Sequence, residues 1–263
     1  MEPWHHTDQF TLYRGEALSV LASLPTGSVD AVITDPPYSS GGLMRNDRSV
    51  DPSAKYRGWS QDETGKSVAP KSTYDTFTGD NRDQRSYLFW SALWLSECLR
   101  ITKPGGTLLT FTDWRQLPIS TDAIQAGGWV WRAIAVWDKG VGRPVKGRFR
   151  NHVEYLLWAT KGAAPQREGV YLNSVLRYSS PTHKDRQHLT QKPVDLLRYV
   201  MPLVEPGGVV LDPFMGSGTT GVAALSEGRT FIGVEMVDEY ANIARDRLTA
   251  AAHDQQLTLD ASA

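Results

Sequence analysis

The sequence predicts an α/β protein built on a twisted, mostly parallel sheet with helices on both faces. Strand-like apolar runs alternate with helical patterns along most of the 263 residues, the signature of layered α/β architecture. The central runs, such as "VDAVIT" and "VVLD", are nearly continuous in apolar character instead of alternating, as expected of strands covered on both faces. Two of these strands break abruptly into unusual turns, Asp35-Pro36-Pro37-Tyr38 and Met215-Gly216-Ser217-Gly218-Thr219.

In chain order, "FTLYRG" reads as a short strand, "EALSVLASL" as a helix and "SVDAVIT" as a strand. Residues 39–85 are polar, glycine-rich and charged, and a loop of that length is usually functional or disordered. "SYLFWSALWLSECLRI" is an amphipathic helix that should stop at Lys103-Pro104-Gly105-Gly106, before a buried strand "TLLTF". "RQLPISTDAIQAGG" is a helix imperfect around Pro118. "WVWRAIAVW" and "HVEYLLWAT" are strands that can pair as an antiparallel ribbon around a basic loop. Residues 161–191 read as irregular. Helix "PVDLLRYVMPLV", strand "VVLD", the glycine loop, helix "TTGVAALSEG", strand "TFIGVE" and helix "DEYANIARDRLTAAA" follow, and the last dozen residues read as a disordered tail.

One domain over 1–263 is expected, with irregular segments at about 39–85 and 139–190. Neither a membrane-length apolar run nor a signal-peptide pattern is present, which points to the cytoplasm. A single cysteine, Cys98, excludes an intrachain disulfide framework and a multi-cysteine zinc site, and its helical surroundings suit core packing. No histidine spacing suggests a metal. The net charge of −1 hides an asymmetry: residues 139–192 hold 11 Lys/Arg against 3 Asp/Glu, a balance of +8, which leaves −9 for the remainder. Such a patch points to a local anionic partner.

The two turns carry the chemistry. Consecutive prolines after Asp35 forbid both helix and sheet ladder. Gly216-Ser217-Gly218-Thr219-Thr220-Gly221 fits a G-x-G-x-x-G nucleotide loop between a strand and a helix, with Glu235 about twenty residues on to accept from ribose hydroxyls. No lysine follows the glycines, and Asp212 would repel a pyrophosphate but suit an ammonium. S-adenosylmethionine has a ribose, no phosphate and a cationic amino-acid end.

Taken together, Asp35-Pro36-Pro37-Tyr38 and Asp212-Pro213-Phe214-Met215-Gly216-Ser217-Gly218-Thr219-Thr220, in that order and with Gln191-Lys192-Pro193 before the second, resemble the β-group of amino-methylating DNA methyltransferases. The resemblance covers nearly the whole chain. It implies a Rossmann-like S-adenosylmethionine-dependent methyltransferase fold and methylation of an exocyclic amine of a base flipped out of double-stranded DNA. Asp35 and the Pro36 carbonyl would accept from the amine, with Pro37 stiffening the turn and Tyr38 stacking on the base. Asp212 would face the methionine ammonium, Pro213, Phe214, Gly216, Ser217 and Gly218 would wall the cofactor, and Glu235 would hold the ribose. Thr219 and Lys192 would reach the methionine carboxylate, with a phosphate contact the other reading of Lys192. Glu16 would either help hold the base or begin a helix.

An aspartate-headed turn in this family accompanies adenine N6 more often than cytosine N4 methylation. The alternatives are cytosine N4 methylation, an RNA amine, an inactive DNA-binding relative and, more remotely, a dinucleotide-dependent dehydrogenase that would leave Asp35 to Tyr38 unexplained. Cys98 lies between Glu97 and Leu99, which excludes ring-carbon cytosine methylation through a proline-cysteine nucleophile. The 139–190 region corresponds to target recognition. Arg143, Lys146, Arg148 and Arg150 suit phosphates, while Arg167, Asn173, Arg177, His183 and Gln187 are candidates for base edges. Arg45, Arg48, Lys55, Arg57 and Trp59 suggest that the 39–85 segment folds over DNA. A homodimer and a cognate restriction enzyme stay open.

Overall fold

A computed structural model describes residues 1–37, 83–142, 144, 146–147, 149–179 and 192–262, with backbone alone for 60–61, 67–68 and 257–262. The chain begins with β1 (His5–His6), β2 (Phe10–Arg14), α1 (Ala17–Ser23) and β3 (Val29–Thr34). A separate antiparallel pair, β4 (Ser60–Gln61) and β5 (Ser67–Val68), comes next. Then come α2 (Gln84–Ile101), β6 (Thr102–Thr112), α3 (Leu117–Ala126), β7 (Val130–Asp138), β8 (Val153–Thr160) and β9 (Val175–Arg177). The last third holds α4 (Val194–Val200), β10 (Val209–Asp212), α5 (Thr219–Ser226), β11 (Thr230–Glu235) and α6 (Asp238–Ser262).

Among the described residues one sheet forms in the order β1-β2-β11-β10-β3-β6-β8-β7-β9. From β2 to β6 all neighbours are parallel. β8 is antiparallel to both β6 and β7, which leaves β7 and its parallel neighbour β9 pointing the same way as the central strands. The continuous apolar runs are explained by two cores. Ala31, Ile33, Leu109, Leu156 and Val210 face α4, α5 and α6, whereas Val32, Leu108, Leu157 and Leu211 face α1, α2 and α3. Each strand thus sends successive side chains into opposite layers.

Local chemistry sets the element ends. Glu16 caps α1 by accepting from the Ser19 amide at 2.9 Å, which makes it a helix-start residue. Asp83 caps α2 through the Arg85 and Ser86 amides. Pro118 lies in the first turn of α3, where its missing N–H costs nothing.

Three expectations change. The 103–106 segment does not separate helix from strand but bulges out of β6, because Thr102 pairs with Val29 while Thr107 pairs with Ala31. Gly105, at φ +78°, turns the bulge so that its amide donates to the Lys161 carbonyl. Part of 161–191 is strand, since β9 extends the sheet beside β7. The C-terminal tail is helical to Ser262: Ala251 and Ala252 pack on the core, and Gln9 Nε2 donates to Gln255 Oε1 at 2.9 Å.

Candidate active site

β3 and β10 are adjacent and parallel, with Val210 opposite Ala31 and Leu211 opposite Val32. Chain order runs outward from this pair in opposite directions, so a crevice opens beyond their carboxyl ends, where such sheets bind ligands. Asp35 follows β3 and Asp212 ends β10. The strands are stitched here: Thr34 Oγ1 donates to Asp212 Oδ1 at 2.7 Å.

Asp212 is 2% exposed and also accepts from the Phe214 amide at 3.0 Å and from the Thr220 hydroxyl. All these donors are neutral, and no described cationic side chain bonds it. Burial pushes its carboxyl up to about 6.

The glycine loop follows directly. Gly218 has φ +79°, and a Cβ there would lie 3.0 Å from the Ala244 Cβ of α6. At Gly221 a Cβ would meet Leu248 and Phe231 at 2.5 and 2.6 Å, so this glycine lets α5 pack closely. Phe214 packs against Trp90 and Trp94 of α2 at 5.5 and 5.2 Å between ring centroids. Glu235 accepts from the amides of Gly216, Met236 and Val237 at 2.9, 3.0 and 2.9 Å, and burial lifts its carboxyl against those bonds. Pro213 sits in the buried start of the loop. Sequence reasoning missed Arg247, which reaches from α6 to donate to the Ser217 carbonyl at 2.6 Å, Ser217 Oγ at 3.0 Å and Thr219 Oγ1 at 3.2 Å.

The turn that begins at Asp35 is held differently. Lys192, 5% exposed and just ahead of α4, hydrogen-bonds Asp35 Oδ2 and lies 3.3 Å from Glu154 Oε2. Glu154 Oε1 in turn accepts from Lys139 Nζ at 2.5 Å. Phe111 and Trp137 floor this chain of charges, with their ring centroids 5.0 and 6.0 Å from Lys192 Nζ. Asp35 Oδ1 is buried with no hydrogen-bond partner among the described residues. Burial raises the Asp35 carboxyl against the pull of Lys192. Burial works the same way on Glu154, but Lys192 and Lys139 outweigh it and hold that carboxyl below its usual range. Lys192, which the resemblance directs to the cofactor or a phosphate, is therefore joined to the Asp35 side of the crevice. Glu154 was missed; its signal was a lone carboxylate in the apolar run "VEYLLWAT".

The basic region divides between two edges. Lys146 and Arg150 are exposed in the loop after β7, at the same edge as Asp35. Arg177, its side chain 81% exposed, ends β9 opposite Asp138 at that edge too. Arg167 is not there. β8 runs down to Thr160, opposite Thr107 just past the bulge of β6 and Val130 at the start of β7, so the following segment lies at the opposite edge, where Arg167 pairs with Glu205 ahead of β10. Tyr38, Arg143, Arg148, His183, Gln187, Gln191 and the 39–85 candidates Arg45, Arg48, Lys55, Arg57 and Trp59 lie outside the described residues. Among the described residues, no helix is long and apolar enough to cross a membrane.

A parallel central sheet, flanking helices and a glycine loop after β10 define the Rossmann-like methyltransferase fold. The sequence model of the N6/N4 DNA methylase family matches residues 29–246, from β3 into α6, and the chain belongs to that family. YubD of Escherichia coli K12 is 29% identical over 250 residues, 92% of both chains. The type II methyltransferase M.HinfI of Haemophilus influenzae is 29% identical over 90% of this chain and 68% of its own. Among solved structures, the M1.HpyAVI–SAM complex is 25% identical with a TM-score of 0.62, covering 91% of this chain and 98% of that one. The cytosine-N4-specific PvuII DNA methyltransferase shares the fold at 19% identity and a TM-score of 0.70, covering 97% and 95%. Family membership sets the dehydrogenase reading aside.

Proposed function

We propose that this DNA methyltransferase moves a methyl group from S-adenosylmethionine to the N6 amine of adenine in duplex DNA. The observation that carries the reading is the pairing, across one crevice, of two buried groups: Asp35 Oδ1, an acceptor that meets no hydrogen-bond donor among the described residues, and Asp212, a carboxylate that meets no cationic side chain among them. The residues present fit the cofactor. Asp212 would hold the ammonium, and Glu235, with three backbone donors on a carboxylate that offers about four acceptor sites, keeps room for a ribose hydroxyl. Thr219 would face the methionine carboxylate. When bound, S-adenosylmethionine supplies a methyl group on a cationic sulfur.

An adenine amine is a weak nucleophile because its lone pair is delocalised into the ring. Asp35 Oδ1 and the Pro36 carbonyl accept its two N–H bonds and turn the lone pair toward the methyl group. On gaining the methyl group the nitrogen would become cationic, with the S–C electron pair left on sulfur. The fixed Asp35 carboxylate stabilises that charge and takes the released proton. Tyr38 would stack on the base. The aspartate-headed turn supports adenine over cytosine.

The test is to incubate the protein with methyl-labelled S-adenosylmethionine and unmethylated phage DNA, then separate the digested nucleosides. Label in N6-methyldeoxyadenosine is expected. Label in N4-methyldeoxycytidine would replace the base, and an unlabelled digest would overturn the reading.

A further inference from the structure

Outside the two turns, the least explained feature is the row of charges behind Asp35. Four alternate in sign, Lys139, Glu154, Lys192 and Asp35, and come from the end of β7, from β8, from the segment ahead of α4 and from the end of β3. Burying such a row is costly, and a row built only for stability would be replaced by apolar side chains at little loss. Its geometry is specific. One end is anchored where the basic loop leaves β7, with the Lys139 amide donating to the His152 carbonyl at 3.0 Å. At the other end, one oxygen of Asp35 is occupied by Lys192 and the other meets no donor among the described residues.

We infer that Glu154 and Lys139 are positioning residues for the methyl transfer proposed above: they hold the Lys192 ammonium on Asp35 Oδ2, so that Oδ1 alone faces the substrate amine. Lys192 stands between two carboxylates. Lys139 neutralises Glu154 enough to keep it from drawing the ammonium away, and Glu154 keeps Lys192 from swinging over the open oxygen. The row also sets the charge of Asp35, because a protonated carboxyl would donate to the amine instead of accepting from it. Asp35 faces Lys192 ahead of α4, Glu154 on β8, Lys139 after β7 and Asp212 on β10. Phe111 and Trp137 contribute no charge near Lys192.

The two ends of the row act on Asp35 in opposite senses, and this gives the test. Single-turnover methylation of unmethylated phage DNA is followed against pH for wild type, Glu154→Gln, Lys139→Met and Lys139→Arg. Glu154→Gln removes a negative neighbour, so the acid limb of the rate profile should move to lower pH. Lys139→Met removes a positive one and should move it to higher pH, with Lys139→Arg restoring the wild-type limb. The plateau rates of the first two should fall about ten- to hundredfold, with KM for S-adenosylmethionine unchanged. Shifts in the same direction, or none in folded variants, would overturn the inference. If Glu154→Gln does not fold, the Lys139 pair decides alone. If wild type labels no DNA, the methylation reading fails, and carbon-13 titration of Asp35, assigned with Asp35→Asn, reads the same opposed shifts without activity.

Discussion

Asp212 and Asp35 end neighbouring strands, and a threonine hydroxyl bridges one strand to the other, yet their surroundings differ in kind. Asp212 is clasped by a hydroxyl pair and an amide from its own turn and its neighbours, all neutral. Asp35 is backed by an ammonium brought from 157 residues away. A carboxylate surrounded by neutral dipoles stays receptive to a cation. One already paired with a cation keeps its position and offers only its second oxygen. On the proposed reading, the contrast separates a site prepared to bind charge from one prepared to aim a lone pair.

The largest effect should come from removing the aim. Asp35→Asn is expected to lower the single-turnover rate about 10²–10³-fold, while calorimetry shows S-adenosylmethionine affinity nearly unchanged. Asp212→Asn should do the converse and weaken cofactor binding about 10- to 100-fold, the worth of a charge-assisted bond. The wild type sharpens this with pH. The Asp212 carboxyl is raised to about 6, so below that pH the free protein holds it neutral, and an ammonium ligand must first have it ionised. Affinity should be full above pH 6 and fall as pH drops through it, by up to about tenfold per unit.

Arg247→Ala removes the brace under Ser217 and Thr219 without touching either carboxylate. A loss of about 1 kcal/mol in cofactor binding is expected, measurable as a lowered thermal shift on adding S-adenosylmethionine. Lys146→Ala and Arg150→Ala should change least: weaker DNA binding across sequences and a salt-dependence slope reduced by about one each, read by fluorescence anisotropy against salt.

The same contrast explains what could be read in advance. Asp212, the glycines and Glu235 lie within one strand–loop–helix–strand unit, so the glycine spacing and the acidic strand end betray them. The two-sided burial of β3, β6 and β10 was likewise visible in unbroken apolar runs. The row behind Asp35 was not, because its members are distant in sequence and meet only after β8 inserts between β6 and β7. Arg167 was misplaced for a related reason: composition marks a basic segment but does not reveal that β8 delivers it to the far edge. The bulge at 103–106 looks like a terminator in the sequence because proline and glycine serve both purposes.

The Thr34–Asp212 bond spans 178 residues of chain yet joins neighbouring strands, and Gln9 meets Gln255 where the first part of the chain approaches the last helix. Linear order is therefore incidental to this architecture. A circular permutant, linked between β1 and α6 and reopened in the exposed turn around Gly169, would present the two halves of the crevice in reversed sequence while keeping every contact between them.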